Sequence, residues 1–161
     1  MRYPSTRLAS AVQLLVRNQK ARLGIDIHLD HRKLQSVLFF VHAKALCTHG
    51  RSVFVDRPVA SADGPIFQAV HDQLHSWGDE SIVNVAVQTP KPRASPKSAA
   101  FKLPAQSDVY VWTLVETALE DFGHLSTQGL IAATQAPDGP WARARARKLD
   151  VISDMDIVSC L

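Results

Sequence analysis

Cysteine is scarce. The 161 residues hold two, Cys47 within an apolar helical run and Cys160 beside the last residue, and neither belongs to a CxxC pair. That spacing excludes the zinc-ribbon and dithiol redox classes and leaves reduced, cytosolic thiols as the expected state. Cys47 is expected to be buried, where thiolate formation is disfavoured. Long hydrophobic runs are lacking too. The stretch LASAVQLLV is short, contains Gln13 and has neither the uniform apolar region nor the small-residue cleavage pattern of a signal peptide. No run approaches transmembrane length, so a soluble cytoplasmic protein is expected. There is no GxSxG, P-loop or dinucleotide fingerprint, and no cofactor is expected. Charge of one sign is also in short supply: the net charge is +3 and the basic residues are scattered, which permits an acidic or nucleic-acid partner without demanding one.

What is present suits one domain over residues 1–161. Apolar content of 46% and charged content of 20% are those of a globular protein, and the length suffices for a real core. The fold class read from periodicity is mainly α, a compact helical domain around a central apolar helix at about 30–49. In STRLASAVQLLVRNQ, Leu8, Val12, Leu15 and Val16 share a helical face. The next segment starts at the capping residue Asp30 and stops at Gly50, and its apolar positions nearly encircle the helix, as a helix surrounded by neighbours requires. Val109, Trp112, Val115, Leu119 and Phe122 predict a further core helix between Asp108 and Gly123. Ser126 and Ser153 are positioned to cap two short helices. Ser52–Val55 and Ile82–Val87 are the strand candidates, and a small two-stranded β-ribbon beside the helices fits them.

The tripeptide DGP occurs twice, at 63–65 and 138–140. Proline disfavours the α region for its predecessor and suits the first helical position, so Gly64 and Gly139 are read as N-caps with Pro65 and Pro140 at N1. After the first copy, Ile66, Val70, Leu74 and Trp77 form a core-facing stripe that ends before Gly78.

Residues 89–106 change character, with four prolines, the basic residues Lys91, Arg93, Lys97 and Lys102, and no acid. This reads as an exposed loop or arm, either a linker or a segment that orders on a partner. Arg143, Arg145, Arg147 and Lys148 alternate in sequence and so spread around a helix, as a solvated face or a phosphate contact. HDQLH places His71 and His75 at i and i+4, the spacing of a two-histidine metal site, but no third ligand is assignable and solvated histidines are the preferred reading. His28 and His31 flank a helix start in the same unspecific way.

The order of the blocks carries more information than any one of them. Leu34 to Phe40 (with Phe39), Gly50, Phe54, Ala60, Gly64, Pro65 and Gly78 follow one another as in the opening half of the Panacea domain, the SocA-like antitoxin family, which the chain resembles. The later block with Pro140, Trp141 and Arg145 is similar to that family's terminal block. The resemblance implies a non-enzymatic antitoxin that binds a cognate toxin, with proteolytic adaptors that deliver the toxin to ClpXP as the variant it points to. The basic arm and the helix with Arg143 and Arg147 are then the candidate contact surfaces. A nucleic-acid-binding regulator is the alternative, and a small metalloenzyme using His71 and His75 the second.

Overall fold

The computed structural model describes residues 1–84 and 102–159. The chain is mainly helical, in the order α1 (Ser5–Leu23), α2 (His31–His49), β1 (Val59–Ser61), β2 (Gly64–Ile66), α3 (Gln68–Leu74), a 3₁₀ turn (His75–Trp77), α4 (Val109–Phe122), α5 (Thr127–Thr134), α6 (Pro140–Ala146) and α7 (Asp154–Ser159).

Helix α2 occupies the centre for the reason its sequence predicts. The Asp30 carboxylate accepts the Lys33 N–H at 2.8 Å and starts the helix. Gly50, at φ 65°, ends it by returning its N–H to the Leu46 carbonyl at 2.8 Å. Leu34, Val37, Leu38, Val41 and Ala45 face a main core shared with α1, α3 and α4. Phe39, Ala43 and Leu46 turn the opposite way and join Ala60, Ala144, Ile152 and Ile157 in a second cluster, with Trp141 packed against it. Phe40 is half-buried and stacks on Phe122 with ring centroids 4.1 Å apart. Each buried Leu or Phe side chain contributes about 1.5–3 kcal/mol, so a helix covered on both sides anchors the whole assembly.

Local capping signals hold elsewhere. Asp108 accepts the Val111 N–H, Ser126 the Gly129 N–H and Ser153 the Asp156 N–H. Gly139 is the N-cap of α6 and Pro140 its first residue.

The first DGP copy does not open a helix. Gly64 and Pro65 lie in β2, which pairs antiparallel with β1 in the register Val59↔Ile66, Ala60↔Pro65, Ser61↔Gly64, and α3 starts only at Gln68. Proline is tolerated because Ala60 sends its N–H away from Pro65, to the Asp150 carbonyl at 2.7 Å, so the missing proline N–H is never required. Gly64 takes a φ of 124°, open to glycine alone at low cost. The ribbon therefore exists, but at 59–66. Phe54 makes only an isolated parallel bridge to Tyr3, Ile82–Asn84 are irregular, and the rest of that strand candidate lies outside the described residues.

Three burial expectations also change. Cys47 is exposed, because the last turn of α2 runs past the core after Leu46. Trp77 is 41% exposed, because the tighter 3₁₀ turn takes it out of phase with Val70 and Leu74. Val109 is 70% exposed as the first residue of α4, while Val115 and Leu119 are buried as expected.

Candidate functional site

The first turns of α2, the β1–β2 hairpin, α3 and α5 enclose a cleft of about 450 Å³. The hairpin is fastened to α2 by one side chain. Gln35, buried in α2, donates from Nε2 to the Phe67 carbonyl at 3.1 Å and accepts the Phe67 N–H at Oε1 at 2.8 Å. This pair of hydrogen bonds fixes the point where β2 passes into α3, and with it the direction in which α3 presents His71 and His75.

Both histidines line the cleft, together with His31 and Arg32 from the start of α2. Their rings stack with centroids 4.8 Å apart, and His75 Nδ1–H donates to the His71 carbonyl at 2.8 Å. That bond leaves His75 only Nε2 for any ligand. Burial holds His31 below its usual pKa, against the opposing pull of Asp30 and with help from the neighbouring Arg32 charge. Among the described residues no group of three or more His, Cys, Asp or Glu side chains is placed to hold a metal ion. The i, i+4 pair shares one face, and no third ligand stands beside it among the described residues. Gly64, Pro65 and Gly78 border the same cleft.

The two sequence blocks meet on the other side of the hairpin. Trp141, the second residue of α6, donates its indole N–H to the Ser61 carbonyl at 2.8 Å. Arg145 reaches the Ala60 carbonyl at 3.4 Å. Below them, Val59 bridges to Val151, and Ile152 N–H donates to the Pro58 carbonyl at 3.0 Å. Gly64, Pro65, Pro140, Trp141 and Arg145 therefore form one piece of architecture, with Leu34 and Phe39 of α2 in the cores behind it.

The basic residues expected to contact a partner divide into two groups. Arg147, just past the end of α6, lies 3.5 Å from both Asp156 carboxylate oxygens and Arg143 of α6 lies 3.4 Å from Ser159 Oγ, so both reach across to α7. Lys102 is exposed. Lys91, Arg93 and Lys97 lie outside the described residues.

Sequence reasoning missed a polar chain that runs from the main core to the surface. His42 is 1% exposed, edge-on to Phe54 and Phe67, with Ser52 Oγ 3.0 Å from Nδ1. Asp154 Oδ1 comes within 3.2 Å of Nε2 without the alignment of a hydrogen bond. Burial lowers the His42 pKa, and the neighbouring Asp154 opposes that shift without reversing it. The available signal was a lone histidine inside an apolar helix. Also unforeseen is a run of exposed apolar side chains, Leu149, Val151, Met155 and Val158, along the segment that carries α7. Scattered apolar residues are ordinary, but four within ten positions mark a surface suited to protein contact.

With this geometry in place, comparison with known proteins adds one relationship. The chain is 28% identical over 138 residues to the antitoxin SocA of Caulobacter vibrioides (strain NA1000 / CB15N), a match that covers 86% of this chain and 70% of that protein. No family model matches the chain, and no solved structure does. The aligned length is too great for the likeness to rest on one helix or one motif. It supports an antitoxin role. No helix among the described residues is long and apolar enough to cross a membrane.

Proposed function

We propose that this chain is the antitoxin of a toxin–antitoxin pair, that it neutralises a cognate toxin protein by binding it, and that it acts as a proteolytic adaptor handing the toxin to ClpXP. The observation that carries the reading is the likeness to antitoxin SocA over 86% of the chain. The architecture is in keeping with it. The starts of α2, α4, α5 and α7 are capped by side chains, α2 is covered on both faces, and the exposed side chains of Leu149, Val151, Met155 and Val158 sit on the scaffold rather than inside it. A binding protein needs that kind of surface, since interface cores are apolar and their rims polar. The α6 arginines lie beside the same segment, where rim charges steer a partner and set the rate of encounter.

The test is co-expression with the adjacent open reading frame in cells with and without ClpXP, following growth and the abundance of the neighbour's product. Relief of toxicity together with protease-dependent loss of the neighbour is the expected result. Relief without protease, through a stable complex, would reduce the function to sequestration. A harmless, unbound neighbour would remove the antitoxin reading altogether.

A further inference from the structure

A second cleft, of about 520 Å³, lies at the far end of α2 from the hairpin. Its construction is non-local. Gly50 turns the chain out of α2, and Tyr3 then pairs with the segment beyond: Tyr3 N–H donates to the Val53 carbonyl at 2.8 Å and Val55 N–H to the Tyr3 carbonyl at 2.9 Å. This pairing lays residues 1–3 beside residues 51–57 and brings Arg2, Arg51 and Arg57 to one cleft. Arg2 is oriented by its own Nε–H, which donates to the Phe54 carbonyl at 2.9 Å and leaves both terminal nitrogens free to point elsewhere. Among the described residues, the Arg51 and Arg57 side chains have no hydrogen-bond or ion-pair partner. Tyr110 forms an apolar and aromatic wall, its ring 4.3 Å from that of His49.

We propose that this cleft is a docking groove for an acidic segment of a protein partner. Three guanidinium groups face it and one acid, Asp154, lines it. Asp154 is directed at His42, 3.2 Å away, and the nearby Asp56 is engaged by the Ser5 N–H and hydroxyl. With three arginines against that one lining carboxylate, the cleft carries an excess of positive charge. The guanidinium fork matches a carboxylate with two parallel N–H···O bonds, and an arginine without an internal partner gives up no existing bond when it makes them. A protein segment fits better than a small anion. Arg2, Arg51 and Arg57 are all exposed, whereas a small-ligand site encloses most of its guest with a few polar groups fixed in place. Exposed arginines around a tyrosine are instead the composition of a protein interface. Under the proposed function the partner is the toxin, and the partner's identity rests on that reading; the chemistry of the groove does not.

Two measurements separate the two claims. The first titrates the ¹⁵N-labelled full chain with a synthetic decapeptide of alternating Glu and Phe, and with a Lys/Phe peptide of the same pattern. Amide shifts at residues 51–57 and Tyr110 with the acidic peptide alone are expected, and they disappear in Arg51→Glu/Arg57→Glu. Shifts centred elsewhere, or the same shifts with the basic peptide, overturn the proposal. So does tight saturation of these residues by inorganic phosphate or ATP with no response to the peptide, which would make the cleft a small-anion site. The second measures affinity for the neighbour's product. Arg51→Glu/Arg57→Glu is expected to weaken it at least about tenfold at low salt and to flatten its salt dependence, with an unchanged melting temperature. Lys20→Glu/Arg22→Glu, equal in charge change and at the opposite end of α1 from the groove, is expected to bind as the wild type does. Unaltered binding by Arg51→Glu/Arg57→Glu overturns the groove as the toxin's contact. A wild-type chain that ignores the neighbour overturns the antitoxin reading, and the peptide titration then decides the groove alone.

Discussion

Replacing Gln35 with alanine tests whether one side chain fastens the hairpin to the central helix. Gln35 satisfies both backbone groups of Phe67, and both residues are buried, so its removal orphans one N–H and one C=O together. A buried polar group left without a partner costs about 1–3 kcal/mol, which sets a ceiling near 6 kcal/mol for the two. Gln35 also borders the 450 Å³ cleft, from which water can reach part of the vacated space, so a loss of about 2–4 kcal/mol is expected. For a chain of this length that is a fall in melting temperature of about 4–16 °C. Urea unfolding followed by far-ultraviolet circular dichroism measures it directly. Gln35→Glu sharpens the test, since it keeps an acceptor for the Phe67 N–H but sets a carboxylate oxygen against the Phe67 carbonyl. Its cost should match that of alanine at pH 7 and shrink toward pH 5, as protonation supplies the missing donor. A loss below about 1 kcal/mol in Gln35→Ala, or a glutamate variant indifferent to pH, would refute the fastening role.

Two further substitutions probe the same architecture. Burial lowers the His42 pKa in the folded chain, so between pH 6.5 and that lowered value the unfolded chain binds the extra proton and stability falls on acidification. His31 contributes in the same direction. The wild type should therefore melt lower at pH 5.5 than at pH 7.5, and His42→Gln should show a shallower dependence; parallel curves would contradict the assignment. Gly64→Ala must hold a φ of 124° with its new methyl 3.4 Å from Thr134 Oγ1, and should cost about 1–3 kcal/mol by thermal unfolding. A loss of a few tenths would mean that the hairpin relaxes freely.

Helix starts were legible because capping is local: Asp30, Asp108, Ser126 and Ser153 each act on an N–H three residues ahead. The central place of α2 was legible from apolar residues on every face. The first Gly-Pro was misread because its local chemistry equals that of the second. What separates them is Asp150, far along the chain, which takes the Ala60 N–H and makes room for proline in a strand. The site divides in the same way. His71 and His75 share a face by spacing alone, and they do so in the structure. The chain from Ser52 through His42 to Asp154, and the convergence of Arg2, Arg51 and Arg57, depend on contacts between remote segments that no local pattern announces. Trp77 and Cys47 were misplaced by extending a helical phase beyond the turn where it stops.

The two-sided burial of α2 has a consequence for how the protein is made. Leu34, Val37, Leu38 and Val41 find partners from α1 and α3 early in synthesis, but Phe39, Ala43 and Leu46 have only Ala60 at hand until Ala144, Ile152 and Ile157 arrive about a hundred residues later. Ribosomes add roughly 5–20 residues per second, so this face of the helix stays largely uncovered for about 5–20 seconds in every nascent chain. During that interval the chain presents a sticky stripe that the finished molecule hides. A truncation before residue 140 would make the interval permanent and turn the central helix of the fold into a liability for self-association.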